Sequence, residues 1–195
     1  MFQTVIILFS YVPNIYFIAN NPQIDADDVK NLKIQKKDII VKFNRCNYNK
    51  EIDKYISRVD YTFHYFKGDG TWWGFDAACN FDCTLNNSTT VVKITGPTEK
   101  CETTMNNKFE HTFISIFHDM CKGFTTKRIH GGTIGILHMN ALYPNSVKYL
   151  IGFTAGICDE PYSMYEKNQS LVAENHAYLS KTIGKMVVVR PKAPQ

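Results

Sequence analysis

The chain has 195 residues, of which 44% are hydrophobic and 21% are charged, and its net charge is +4. This length and composition indicate one globular domain with a sizeable core and exclude a disordered or fibrous chain. The charge is modest, and the densest basic stretch, residues 33–37, is typical of a solvated loop. We therefore expect no nucleic-acid partner.

The cysteines and the amino-terminal residues leave the compartment open. Six cysteines are scattered without a paired CxxC, so a zinc site has little support, whereas Cys79, Cys83 and Cys101 allow a disulfide in an oxidising compartment. Residues 1–13 are apolar without a basic start, and Pro13 interrupts them. They favour an extra buried segment over a weak signal or a trimmed membrane anchor. A cytoplasmic and a membrane-associated or secretory location both fit, and the oligomeric state stays open.

Hydrophobic periodicity predicts alternating strands and helices along the chain. Short apolar runs predict strands, and apolar residues at a helical spacing predict helices. In chain order these are strand Ile15–Ala19, helix Asp25–Lys33 capped by Asp25, strands Asp38–Phe43, Tyr61–Tyr65 and Val91–Thr95, helices Lys108–Met120 and Gly132–Leu142, strand Val147–Phe153, helix Leu171–Ile183 and strand Lys185–Val189.

This alternation predicts an α/β fold: a single Rossmann-like domain over residues 1–195, with a mainly parallel sheet and helices on both faces. Strand Ile15–Ala19 is a continuous apolar run, and strands Asp38–Phe43 and Val147–Phe153 contain the apolar runs expected of strands that are covered on both faces. We expect these three strands to lie adjacent or nearly adjacent in the sheet.

Small and amide side chains follow the predicted strands. Asn20 and Asn21 follow the first strand, and Asn44 follows the second. Asparagine carries a donor and an acceptor that suit a ribose or a base edge, although Asn20 and Asn21 also suit a plain turn. Because open α/β sheets bind nucleotides at the carboxyl ends of their strands, these residues are candidate nucleotide ligands.

A second candidate half-site lies near the other end of the chain. Gly131, Gly132 and Thr133 open the predicted helix, and Gly152 ends the strand that follows it. Small residues let a ligand approach the backbone amides at a helix start, but they are equally typical of a helix packed closely on a sheet.

The order and amino-acid sequence of these segments resemble those of the bacterial and animal sialyltransferases. The resemblance runs from Ile15 to about Leu179 and is carried by Ala19-Asn-Asn-Pro-Gln23, Val41-Lys-Phe-Asn-Arg-Cys-Asn47, Arg128-Ile-His-Gly-Gly-Thr-Ile-Gly135 and Lys148-Tyr-Leu-Ile-Gly-Phe153. It implies metal-independent, inverting transfer of a sialic acid-like sugar from a CMP-sugar donor to a glycan or glycolipid hydroxyl, with no cofactor. Ala19 and Gln23 depart from the family at the phosphate turn.

The resemblance also implies three catalytic-site side chains. His176 corresponds to a late histidine that acts as base or acid near the acceptor hydroxyl, which suits an imidazole of near-neutral pKa. Tyr162 and Tyr165 resemble a tyrosine pair that donates hydrogen bonds to the leaving phosphate. A lone histidine on a helix is more often structural, and eleven tyrosines make a chance match easy.

The sequence is also compatible with other classes of function. Asp25-Ala-Asp27 has the spacing of a metal-binding DxD but lies at a predicted helix start, so we expect no metal there. A catalytically degenerate relative that only binds a nucleotide or serves a structural role is the main alternative. An unrelated small α/β nucleotide-binding domain is the third.

Overall fold

The computed structural model describes residues 11–19, 24–43, 52, 54–56, 58–65, 89–95, 112–117, 131–153 and 177–189. Within these residues the chain forms a sheet and helices, and residues 177–182 are helical. The named elements are β1 (Ile15–Ile18), α1 (Ala26–Asn31), β2 (Ile39–Phe43), β3 (Tyr61–Tyr65), β4 (Thr90–Thr95), β5 (Thr112–Phe117), α2 (Gly131–Leu142), β6 (Lys148–Ile151) and β7 (Met186–Val189).

The seven strands form one sheet in the order β5-β4-β3-β2-β1-β6-β7. Each neighbouring pair is parallel. The predicted α/β, Rossmann-like fold class is therefore confirmed. The chain builds the sheet outward from β1 to β5, then returns to place β6 on the other side of β1.

Two apolar clusters show that helices cover both faces of the sheet. On one face, Ile15 and Phe17 of β1 join a cluster with Ile134 of α2 and with Leu179 of the helical segment 177–182. On the other face, Tyr16 of β1 joins a cluster that contains Val29 of α1, together with Ile18, Ile24, Ile40, Ile52, Ile56 and Ile151. Successive β1 side chains point to opposite faces, as a strand requires. Since both faces are covered, all four β1 residues are buried.

The predicted adjacency of three central strands is confirmed. β1 lies between β2 and β6, with Ile15 paired with Ile39 on one side and with Lys148 on the other. The carboxyl ends of these strands consequently lie at the same edge of the sheet, which we call the carboxyl edge. The opposite edge, where the strands begin, is called the amino edge.

The helix predicted at Lys108–Met120 is wrong, because residues Thr112–Phe117 form β5. Its residue pairs with β4 run from Thr90↔Thr112 to Thr95↔Phe117. The segment Thr-Phe-Ile-Ser-Ile-Phe consists mostly of β-branched and aromatic residues, which favour strands. In so short an apolar run, residues at a helical spacing do not distinguish a helix from a strand, and the pairing with β4 decides.

The start of α1 agrees with its prediction. Asp25 is the N-cap, and its Oδ1 accepts a hydrogen bond of 2.8 Å from the backbone N–H of Asp27. Val29 faces the sheet and is buried. The cap satisfies one of the amide groups that every helix start leaves without an internal partner. Asp25 therefore has a structural role in this DxD segment.

Helix α2 lies very close to the sheet at Gly135. A Cβ atom at this position would lie 2.7 Å from Cε1 of Phe43 and 3.0 Å from Cγ of Phe63. Both rings are buried, so neither can swing into solvent. The absence of a side chain at Gly135 therefore sets the distance between α2 and strands β2 and β3.

The end of α2 is held by a buried lysine. Lys148 is fully buried at the start of β6, and its Nζ donates hydrogen bonds to the carbonyl oxygens of Tyr143 (2.8 Å) and Pro144 (3.2 Å). Carbonyls just after a helix have no partner within the helix, and a cation there is also favoured by the helix dipole. Burial, and secondarily the charge of Lys185, lower the pKa of Lys148.

Gly135→Ala should destabilise the protein. Alanine favours a helix over glycine by about 1 kcal/mol, but overpacking a rigid core costs about 1–3 kcal/mol, and the 2.7 Å approach to Phe43 makes the second effect the larger. Urea denaturation measures the free energy of unfolding. Gly184→Ala is the control, because a Cβ there meets no atom within 4 Å. Equal stability of both variants would contradict this account.

Lys148→Met should destabilise the protein by about 1–3 kcal/mol, because the carbonyls of Tyr143 and Pro144 lose the Nζ donor and only that of Tyr143 keeps another, the backbone N–H of Ser146 at 3.2 Å. Since the pKa of Lys148 is below its ordinary value of 10.5, the unfolded chain binds the proton more tightly. This residue therefore makes stability rise with pH as the pH approaches 10.5. The difference in unfolding free energy between wild type and Lys148→Met, measured across that range, should change accordingly. A pH-independent difference would exclude the titration of Lys148 as its source.

Candidate functional site

The strand order reverses between β1 and β6, and in open α/β sheets such a reversal marks the position of a crevice at the carboxyl edge. β1 is followed by α1 on one face of the sheet, whereas β6 is followed by the helical segment 177–182 on the other. Directly after β1, the backbone N–H of Ala19 donates a hydrogen bond of 3.0 Å to the carbonyl oxygen of Ile151, the last residue of β6. Ligands of open α/β sheets bind in crevices of this kind.

The first turn of α2 lies beside the end of β6. A Cβ atom on Gly132 would lie 3.0 Å from Cε1 of Phe153, the second residue after β6. The first amides of a helix have no partner within it, and together with the helix dipole they attract anions. The start of α2 is thus placed at the carboxyl edge, where a phosphate of a bound nucleotide could meet it.

Phe153 connects three elements of this crevice. Its half-buried ring meets Phe43, the last residue of β2, edge to face, with 5.6 Å between centroids and an angle of 84°. It also covers Gly132. The start of α2, the end of β6 and the end of β2 therefore meet around one aromatic side chain. From the sequence, Phe153 is predicted only as the last residue of a strand. An aromatic residue directly after Gly152 is the feature that could have identified it as part of this region.

Four of the predicted nucleotide-binding residues lie in the described part of the chain. Gly131, Gly132 and Thr133 form the first turn of α2, and Thr133 is buried. Gly152 directly follows β6 with a φ of 75°, a backbone conformation that favours glycine. Because Phe153 packs on Gly132 and the backbone conformation at 152 favours glycine, both glycines also have a structural explanation.

The remaining predicted site residues lie outside the described part of the chain. They are Asn20, Asn21, Asn44, Tyr162, Tyr165 and His176. Asn44 directly follows Phe43, the last residue of β2, and Asn20 follows Ala19. Their assignments stay predictions.

One histidine lies close to this region on α2. The imidazole of His138 meets the ring of Phe63 edge to face at 5.8 Å, and its buried Nε2 atom has no hydrogen-bond partner. Burial lowers the pKa of His138, so the neutral imidazole is favoured. Within the described ranges, no three His, Cys, Asp or Glu side chains come together in a way that could hold a metal ion. No described helix has the length and apolar character needed to cross a membrane.

Comparisons with protein-family models, with characterised proteins and with solved structures found no match to this chain.

The contact between Gly132 and Phe153 can be tested with a double-mutant cycle. Gly132→Ala places a Cβ 3.0 Å from the ring of Phe153, so we expect a steric cost of about 1 kcal/mol that cancels the similar gain in helix propensity. In the background of Phe153→Leu the same change should cost less, with a coupling of at least about 0.5 kcal/mol between the two positions. Urea denaturation of the four proteins measures this coupling. Additive effects would show that Phe153 does not restrict position 132.

Proposed function

We propose that this domain binds a nucleotide-sugar in the crevice between β1 and β6. The observation that supports it most is the reversal of strand order at β1, with the start of α2 at the same edge. A strand-order reversal is where such sheets bind nucleotides, and a helix start favours their phosphates. The base and ribose would be read by Asn20, Asn21 and Asn44, which follow β1 and β2 in the sequence.

The donor in this proposal is a CMP-sugar, and the reaction is the transfer of a sialic acid-like sugar to a glycan hydroxyl. This part rests on the resemblance to the sialyltransferases. His176 would take the proton of the acceptor hydroxyl as it attacks the anomeric carbon, and the bond from that carbon to the CMP phosphate would break with inversion. Tyr162 and Tyr165 would stabilise the charge on the departing phosphate.

A catalytically degenerate nucleotide-binding protein is the second candidate. The turn Ala19-Asn-Asn-Pro-Gln23 favours it, because Ala19 and Gln23 replace the small residues that shape the phosphate turn in the family. A degenerate protein would still bind CMP but would not release it from a CMP-sugar in the presence of an acceptor.

CMP should bind in preference to AMP, GMP and UMP in calorimetric titrations of the full chain. Asn44→Ala should weaken CMP binding by about 1–3 kcal/mol, the typical cost of a lost buried hydrogen bond. Asn145→Ala is the matched control, because Asn145 is exposed in the turn that follows α2, at the amino edge. If wild type binds no CMP even at millimolar concentration, the proposed ligand is wrong.

His176→Ala should lower the rate of sugar transfer about a hundredfold or more and leave CMP affinity unchanged, as expected of a general base. Transfer is measured as CMP released from a CMP-sugar with and without an acceptor glycan. Equal loss of CMP affinity and thermal stability would make His176 structural. If wild type binds CMP but does not release it from the donor with any acceptor, the degenerate alternative holds.

A further inference from the structure

The amino edge of the sheet contains a cavity that is separate from the crevice at the carboxyl edge. Its volume is about 340 Å³. Residues at the starts of β2, β3 and β4 and the residue after α2 line it, and we call it the amino-edge cavity. Its lining consists of Lys36, Lys37, Asp38, Ile39, Arg58, Asp60, Tyr61, Thr90 and Tyr143. A strand of four to six residues places it roughly 15 Å from the carboxyl edge, at about 3.3 Å per residue.

The two carboxylates of this cavity are already used by the fold. Asp38 is buried and accepts hydrogen bonds from the Tyr11 hydroxyl (2.8 Å) and from the backbone N–H groups of Asn14 (3.1 Å) and Gln35 (2.9 Å). Asp60 accepts one from the backbone N–H of Ile40 at 2.8 Å. Both carboxylates therefore hold the starts of neighbouring strands together.

Arg58 is fixed between these two aspartates. Its Nε donates to Oδ1 of Asp60 at 2.9 Å, and its Nη2 donates to the carbonyl oxygen of Asp38. A guanidinium has five N–H groups, so this geometry uses two and leaves the others for a further acceptor. The side chain is 21% exposed and lines the cavity. Arg58 is consequently an ordered donor whose position is set before any ligand arrives.

The lysines give the cavity its excess of positive charge. Lys37 lies over the ring of Tyr11, with 3.2 Å between Nζ and the ring centroid. Across the described residues, Lys36 makes no hydrogen bond or ion pair. Tyr61 and Tyr143 also line the cavity, and their hydroxyls lie 3.4 Å apart. Three cationic side chains and two hydroxyls thus line the cavity. Both of its carboxylates already accept hydrogen bonds from groups of the protein itself.

We propose that the amino-edge cavity binds a phosphate or sulfate group between Lys36, Lys37 and Arg58. Guanidinium groups present the planar fork that binds the oxygens of such anions, and an ammonium adds a point charge beside them. The hydroxyls of Tyr61 and Tyr143 form a hydrogen bond with each other, which leaves one O–H to donate to a further oxygen of the anion. The proposal does not depend on the proposed nucleotide site, which lies at the other edge of the sheet.

The test is calorimetric titration of the full chain with inorganic phosphate, with sodium chloride of equal ionic strength as the control. Lys36→Gln should weaken phosphate binding about threefold, as expected for one exposed charge, and Arg58→Lys about tenfold, because the fork is lost. Lys181→Gln, which removes an exposed lysine outside the cavity, should have no effect. Circular dichroism checks that Arg58→Lys is folded, and Lys36→Gln decides the matter if it is not.

Two further measurements identify the ligand and its site. Glycerol phosphate represents a soluble ester, and phosphatidylcholine vesicles containing phosphatidic acid represent a lipid headgroup; binding to the vesicles alone would assign the site to a membrane lipid. CMP is itself a phosphate ester and can compete for this cavity, so the two sites are separated by mutation: Asn44→Ala should leave phosphate affinity unchanged. Absence of binding to both phosphate and phosphatidic acid vesicles would overturn the proposal. Phosphate binding that chloride reproduces, that Lys36→Gln leaves unchanged, or that Asn44→Ala weakens would also overturn it. The effect of Lys36→Gln on phosphate affinity can be measured whether or not the protein binds CMP, so a failure of one proposal is distinguishable from a failure of the other.

Discussion

The close contact between α2 and the sheet at Gly135 is the constraint on which the candidate site depends. With the rings of Phe43 and Phe63 beneath it, α2 can lie at this distance only without a side chain at 135. One helical turn earlier, the same packing brings Gly132 against Phe153 at the carboxyl edge. The position of the helix start, which would receive a phosphate, therefore follows from a steric contact in the core.

The two edges of the sheet differ in how their polar groups are used. At the amino edge, Asp38 and Asp60 accept backbone hydrogen bonds from Asn14, Gln35 and Ile40, which ties the starts of β1, β2 and β3 together. At the carboxyl edge, an aromatic contact between Phe43 and Phe153 brings β2 and β6 together. Buried polar groups need hydrogen-bond partners, so the two aspartates fix the positions of the strand starts at the amino edge. The described part of the carboxyl edge is positioned mainly by apolar packing around Phe153.

Most of the fold could be predicted because its strands are short apolar runs with turn residues at both ends. Ile15–Ile18, Ile39–Phe43 and Lys148–Ile151 were predicted this way, and all but one residue of each of the last two, and every residue of the first, are buried, as expected of central parallel strands. β5 could not be found, since its apolar residues also fit a helical stripe and its state is decided by pairing with β4. Strand order likewise depends on contacts between residues that are far apart in the chain.

The candidate site was predictable only as far as local sequence decides it. A strand followed by glycine places Gly152 at the carboxyl edge, but the contact of Phe153 with Gly132 joins residues about twenty positions apart and leaves no local pattern. The structure also gives the two glycines, Gly132 and Gly152, a structural explanation. The ring of Phe153 favours glycine at 132 and the positive φ favours glycine at 152, so a ligand is not needed to explain either residue. The side chains that would distinguish a binding protein from a bare scaffold are those that the fold does not require, and for Asn44 and His176 this stays a prediction that only binding and transfer measurements decide.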